Sequence, residues 1–273
     1  MPELPEVETI RRDLTPLAGR TITDVEVLWP GAIKAPALRE FGERVRGQRI
    51  TGVERRGKHL ILCLASGEEL IFHLRLTGRL VLTPAEQEPG RHTRAVFFLD
   101  EGEALHFADV RKFGTIHLVK AGERQAVSSL AGLAPEPLSE EFTLDWFRSA
   151  LARRRGPIKG ALLDQAVVAG MGNIYADEAL FRAGLRPDRP VPELASAEVE
   201  RLWEAIRAVL AEGIRLRGTS VRDYVDGRGE PGGFQKVLSV YGRKGQPCRR
   251  CGAPLQRMRV AGRGTTFCPH CQR

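Results

Sequence analysis

Apolar residues at the front of the chain recur at steps of three and four, as Val7, Ile10, Leu14 and Leu17. That spacing lines one face of a helix and predicts an amphipathic helix starting almost at the terminus and closed by Gly19. The period then drops to two in TITDVEVL, the alternation of a half-buried strand. KHLILCLASGEELIFHL predicts two strands joined at Ser66-Gly67, and TRAVFFLDEGEALHFAD two more joined at Glu101-Gly102. Residues 1–130 thus read as a β-sandwich carrying a leading helix.

The stretch SSLAGLAPEPLSEE, rich in small residues and proline, marks a boundary, with residues 131–138 as linker. Helical periods follow in FTLDWFRSALARR, IKGALLDQAV and NIYADEALFRAG. A longer helix is predicted from Ala195 to Arg217, with Val199, Leu202, Ile206, Val209, Leu210 and Ile214 on one face. RGTSVRDYVDGRGEPGGF, residues 217–234, then carries five glycines in eighteen residues and predicts a functional loop inside a helical domain of residues 139–240. The expected class is α+β, with a sandwich first, helices second and residues 241–273 as a separate cysteine-bearing tail.

At 273 residues, 42 % apolar and 28 % charged, the chain has the size and composition of a two-domain soluble protein. It holds no run of apolar residues long enough for a membrane helix. Glu3, Glu6 and Glu8 stand where a signal peptide would be apolar, so the expected location is cytoplasmic and reducing. The formal charge of +8 lies entirely in the tail: Tyr241 to Arg273 holds eight Lys/Arg and no Asp or Glu. A basic tail on a neutral body points to a polyanion such as nucleic acid, against the plainer reading of a solvated face.

Four of the five cysteines lie in that tail, as Cys248-x-x-Cys251 and Cys268-x-x-Cys271 with sixteen residues between the pairs. Each pair can reach one ion, and the spacer is long enough for a hairpin that joins them. This is the spacing of a closed four-thiolate structural zinc site. Two disulfides are the rival reading, disfavoured in a reducing compartment. Cys63, within HLILCL, reads as an inert core thiol.

PELPEVET, RGKHL, HLRLTG, DVRKFG, GMGNIYADEAL, the glycine-rich loop, VYGRKGQPC and GRGTTFCPHCQ follow one another along the whole chain. In that order they resemble the formamidopyrimidine-DNA glycosylase family, bacterial base-excision enzymes that remove oxidised purines. The resemblance implies a β-sandwich domain, a helical domain with a helix–two-turn–helix motif, and a zinc-bound β-hairpin. It implies damaged double-stranded DNA as partner and residence with the nucleoid; the sequence carries no oligomerisation signal, and a monomer is expected.

The opening acid and proline then acquire a chemical reading. Loss of Met1 would leave Pro2 as a terminal secondary amine. An α-amino group titrates at about 7.7–8.0 against about 10.4 for lysine, so part of it is nucleophilic at neutral pH. The resemblance implies Pro2 as nucleophile, Glu3 as general acid/base, Glu6 as a second acid with a less defined role, and Lys58 and Arg263 as aids to the elimination steps. It assigns DNA contacts to His73, His92, Arg111, Arg154, Lys159, Asn173 and Tyr241. Leu76, Arg111 and Phe113 would fill the gap left by an everted nucleotide, and Thr219, Ser220, Val221, Arg222, Asp223 and Tyr224 would cover the everted base. The sequence departs from the family pattern at Leu76, where methionine is usual, and at Arg75, where glycine is common. Asp177 and Glu178 read as helix supports. Two alternatives stay open: the related endonuclease VIII branch acting on oxidised pyrimidines, and a catalytically silent zinc-finger DNA-binding protein.

Overall fold

The computed structural model describes residues 2–221 and 223–273, which fall into two compact units: residues 1–131 with 216–235, and residues 132–215 with 236–273. Among the described residues no helix is long and apolar enough to cross a membrane.

The first unit opens with helix α1 (Leu4–Leu14), whose Val7, Ile10 and Leu14 are fully buried. The α-helix stops there rather than at Gly19. Pro16 has no N–H to continue the ladder, so Thr15–Leu17 tightens into a 3-10 turn, which still buries Leu17. Strands β1 (Ile22–Val27) and β2 (Ile33–Ala35) follow, then helix α2 (Leu38–Val45) and strands β3 (Ile50–Arg56), β4 (His59–Leu64), β5 (Glu68–His73), β6 (Gly78–Pro84), β7 (Thr93–Leu99), β8 (Glu103–Asp109) and β9 (Thr115–Lys120). They form two sheets, ordered β1-β7-β8-β6 and β2-β9-β5-β4-β3. The turns at Gly67 and Glu101-Gly102 fall where glycine punctuates the sequence, with φ of +79° at Gly67, 59° at Glu101 and 76° at Gly102. Phe72, Phe97 and Phe107 from both sheets pack in one core with Val7, Ile10 and Leu14 of α1.

The second unit contains α3 (Leu144–Ala152), α4 (Ile158–Leu163), α5 (Asn173–Ala183) and α6 (Ser196–Arg215), then the hairpin β10 (Gln256–Val260) and β11 (Arg263–Phe267). Thr143 caps α3 by accepting the Trp146 N–H at 3.1 Å, and Gly184 ends α5 in the left-handed conformation. The α6 residues expected on one face, from Val199 to Ile214, are all buried.

The glycine-rich segment, grouped with the helices in the sequence reading, makes its contacts in the first unit. The Leu82 N–H donates to Gly227 O at 3.1 Å, and Arg217 binds Asp13 at 2.7 Å.

Candidate active site

Pro2 is buried and directly precedes α1, with Glu3 as the helix N-cap in an extended conformation. Glu3 and Glu6 form a capping box, in which the Glu3 N–H donates to Glu6 Oε2 at 2.8 Å. Both carboxylates thereby sit at the positive end of the helix dipole. Glu6 is the better defined of the two. Its Oε1 accepts the Thr219 N–H at 2.7 Å, tying the head of α1 to the glycine-rich loop. Gly218 is required at this crossing, because a Cβ there would approach Glu6 Cγ to 2.9 Å.

Lys58 lies in the turn between β3 and β4 and is only 8 % exposed, against the plain expectation of a solvated cation. The neighbouring His59 stacks edge-on with His73, ring centroids 4.4 Å apart, and its Nε2 lies 2.8 Å from Ser129 Oγ. The Arg75 N–H donates to His73 Nδ1 at 3.0 Å, which leaves Nε2 as the protonated nitrogen of a neutral ring. Burial pushes His59 down to about 4 and His73 to about 2. The folded rings stay neutral while the unfolded ones charge below about 6.5, so stability is whole above that pH and is lost as pH falls. With about 1.4 kcal/mol per pH unit for each ring, the chain should lose on the order of 3 kcal/mol between pH 7 and 5. Urea unfolding at both pH values measures this. A His59→Asn, His73→Asn variant with the same pH dependence would show that other groups carry it.

The residues expected to wedge into DNA sit on two adjoining turns. Phe113 is 53 % exposed, with the Arg111 guanidinium 4.9 Å from its ring centroid, and Leu76 is half-buried. Lys112 takes a φ of 60° and places its ammonium 3.9 Å over the Trp29 ring. One buried carboxylate organises both turns. Asp109 accepts from Thr77 Oγ1, from the Arg111 N–H at 3.2 Å and from the Gly114 N–H at 2.7 Å. Glycine is needed at position 114, where a Cβ would lie 2.5 Å from Phe107. The sequence reading missed Asp109; an aspartate ending a strand just before a charged turn was the available signal. His92 is half-buried, and its carbonyl accepts the Asp109 N–H at 2.9 Å.

Within the loop, Thr219 and Tyr224 are 3 % and 8 % exposed, and Val221 is 52 % exposed. The Thr219 amide serves Glu6 and the Ser220 amide serves Gln235 Oε1, so neither is available to a base. The Val221, Asp223 and Tyr224 amides make no hydrogen bond to a described residue. Arg222 lies outside the described residues, as does Met1.

In the second unit, Lys159 departs from its expected role as a DNA contact. It is fully buried, with Nζ 2.6 Å from Asp177 Oδ1 and 2.7 Å from Thr265 Oγ1. Asn173, first residue of α5, donates Nδ2 to Gly264 O at 3.1 Å, and Asp177 Oδ2 accepts the Thr266 N–H at 3.1 Å. Three side chains thus grip the β11 backbone beside Arg263. Burial raises the Asp177 carboxyl to about 7 against the pull of Lys159. Glu178 accepts the amides of Ser239, Val240 and Tyr241 at 2.8–2.9 Å, which anchors half-buried Tyr241. Both acids, expected to support their own helix, instead hold the backbone of other segments. Arg154 pairs with Asp164 at 2.7 Å. Arg263 is exposed at the hairpin tip, next to Ala261 and Gly262, whose φ values of 48° and 73° make the tight turn that joins antiparallel strands.

The four tail cysteines converge, every Sγ within 4.8 Å of the others, with Cys248 3.9 Å from Cys271 and Cys251 3.5 Å from Cys268. A tetrahedral zinc with Zn–S of about 2.3 Å needs sulfurs about 3.8 Å apart, so the thiolates fit the ion. The Arg250 and Cys271 amides donate to Cys248 and Cys268 Sγ at 3.4 Å each and would stabilise thiolate charge. Among the described residues the cluster consists of these four cysteines, the ligand set of a closed structural site. Cys63 stands apart, its thiol pushed up to about 11 by burial and by Glu54 and Glu69.

A zinc-bearing hairpin keyed to a helical unit, accompanied by a β-sandwich with an acid-capped first helix, defines a zinc-finger DNA-binding enzyme. Residues 1–116 match the formamidopyrimidine-DNA glycosylase N-terminal domain, 133–225 the formamidopyrimidine-DNA glycosylase H2TH domain, and 245–273 the zinc finger found in FPG and IleRS. A formamidopyrimidine-DNA glycosylase of Desulfitobacterium hafniense is 52 % identical over 273 residues, covering 100 % of both chains. The crystal structure of the MutM (Fpg) protein of Thermus thermophilus superposes with a TM-score of 0.90 at 46 % identity, covering 99 % of this chain and 98 % of that one. Lactococcus lactis Fpg bound to DNA containing an abasic site matches with a TM-score of 0.92 at 36 % identity, over 99 % of each chain. The chain belongs to the formamidopyrimidine-DNA glycosylase family and is a DNA glycosylase of base-excision repair with one structural zinc.

Proposed function

We propose that the chain is a monomeric, cytoplasmic glycosylase and lyase that removes 8-oxoguanine and formamidopyrimidines from nucleoid DNA, preferably opposite cytosine. The observation that carries the chemistry is the capped head of α1, where Pro2 adjoins the N-cap Glu3 and Glu6 fixes the cap to the loop. With Met1 removed, the neutral Pro2 nitrogen attacks C1′ of the everted nucleotide, the glycosidic bond breaks with its electrons leaving on the base, and the proton shed by the Pro2 nitrogen neutralises that base. Glu3 protonates the sugar ring oxygen as the ring opens. The product is an iminium, since a secondary amine cannot give a neutral imine. Its positive charge acidifies the C2′ proton, and loss of that proton expels the 3′ phosphate. The δ step then expels the 5′ phosphate, with Lys58 and Arg263 assisting.

Arg263, exposed on the hairpin, and Tyr241, Asn173, Arg154, His92 and His73 are read as the phosphate grip, which positions DNA without reading sequence. His73 would donate from a neutral ring and release no counterion. Arg111 hydrogen-bonds the orphaned base while Leu76 and Phe113 fill the gap. Exposure of Phe113 supports this over a core role. The open amides of Val221, Asp223 and Tyr224 supply donors for an oxidised purine. That loop and the RKFG turn favour purine over pyrimidine lesions.

Borohydride trapping on paired duplexes tests the reading. A covalent adduct should form readily on 8-oxoguanine opposite cytosine and at least about tenfold more slowly on thymine glycol, the preference that base-reading hydrogen bonds supply. The reverse order would move the chain to the pyrimidine branch, and binding without any adduct would make it a silent DNA binder.

A further inference from the structure

We infer that Asp13, Arg217 and Asp226 are positioning residues that hold the glycine-rich loop in its base-reading form before DNA arrives, an inference resting on the loop's role proposed above. Asp13 lies in the last turn of α1, where the helix dipole disfavours an anion, and its side chain is only 3 % exposed. The basic residues beside it do not serve it, because Arg11 and Arg12 both donate to Glu8. All the hydrogen bonds the Asp13 carboxylate accepts from described residues come from the loop: Arg217 Nη2 at 2.8 and 2.7 Å, and the Gly227 N–H at 3.2 Å. Arg228 adds an ion pair at 3.5 Å. A buried carboxylate at that helix end is tolerable only while the loop is docked against it.

The loop has a matching design. Asp226 is 1 % exposed, and its Oδ1 accepts the amides of Arg228 and Glu230 at 2.9 Å each, shaping the turn over residues 226–230. Its Oδ2 accepts Arg217 Nε at 3.1 Å. Arg217 therefore bridges two buried acids, and it does so from a φ of 59°, a backbone region that a residue with a Cβ seldom occupies. Behind it the loop closes on itself. The Gly233 N–H donates to Leu216 O at 2.8 Å, the Phe234 N–H donates to Gly218 O at 3.0 Å, and a Cβ on Gly232 would come within 2.3 Å of Gly218 O. A segment with five glycines has many conformations open to it, and recognition weakens in proportion to the fraction in the correct one. One guanidinium joining the end of α1, the base of the loop and its inner turn raises that fraction.

Asp13→Asn removes the charge and keeps the shape. It should raise KM on an 8-oxoguanine duplex about tenfold, as expected if the competent fraction falls to a tenth, with little change in kcat. An abasic duplex offers no base to read and should be cut at the wild-type rate, which also reports that the variant is folded. Hydrogen exchange without DNA should show faster exchange at the Arg228 and Glu230 amides. Arg217→Lys, a point charge that cannot bridge both acids, should fall between Asp13→Asn and wild type. Wild-type KM in both variants, alongside impairment when residues 220–231 are replaced by a short glycine link, overturns the latch and spares the loop's role. Equal losses on lesion and abasic duplexes overturn the latch as a general folding defect. An unimpaired loop replacement sinks the loop's role and the latch together.

Discussion

A chain whose Pro2 nitrogen is blocked, by acetylation or by a retained leader, will bind lesion duplex but neither excise the base nor form a borohydride-trapped adduct. In the proposed mechanism the covalent step consumes the lone pair on that nitrogen, and a lysine could substitute only after a large pKa drop. Lys58 and Lys159 are both buried, and Lys159 is already committed to Asp177 and Thr265. Loss of activity should be at least about a thousandfold, within the range for a positioned catalytic group, while duplex affinity changes little. Glu3→Gln should cost a comparable factor in base excision if, as proposed, Glu3 is the acid that protonates the opening sugar. The helix should survive this change, since the amide still accepts the cap hydrogen bond. Single-turnover kinetics and intact mass of the modified chain measure both effects. Normal cutting by a fully blocked chain would end the Pro2 assignment.

Removing zinc should be nearly as severe, by a different route. Structural zinc supplies about 10–16 kcal/mol in isolated fingers, far more than a hairpin of two five-residue strands holds by itself. With the ion gone, β10 and β11 lose their anchor, and the grip of Lys159, Asn173 and Asp177 on residues 264–266 has nothing ordered to hold. On the proposed reading Arg263 then leaves the phosphate grip, and affinity for any duplex should fall on the order of a hundredfold. Fluorescence anisotropy before and after chelation, with recovery on added zinc, reads this directly. Cys251→Ser should behave like the chelated protein, and Cys63→Ser like wild type. Undiminished affinity after chelation would place the hairpin off the DNA.

Much of this was legible in the sequence because the signals were local. The steps from Val7 to Leu14, the alternation of TITDVEVL in β1, the glycines at the turns after β4 and β7 and the paired cysteines need no knowledge of distant partners. Short elements escaped. Strand β2 has three residues, and α2 offers eight with only Phe41 and Val45 buried, too little for a period to show. The site was legible in its composition and less so in its wiring. The resemblance assigns Lys159 to DNA, and only a partner more than a hundred positions away, Thr265, turns it inward. Glu6 was visible as an acid, but its bond to Thr219 spans a separation that no local pattern encodes. The same holds for the pairing of Asp13 with Arg217.

Asp109 carries a further consequence. Because a single carboxylate fastens the turn bearing Leu76 and the turn bearing Arg111 and Phe113, the two cannot drift apart over evolutionary time. A change on one side alters the footing of the other, so substitutions at these three positions are bound to show epistasis. The leucine at 76 is then to be judged together with its neighbours across Asp109, as one inherited set.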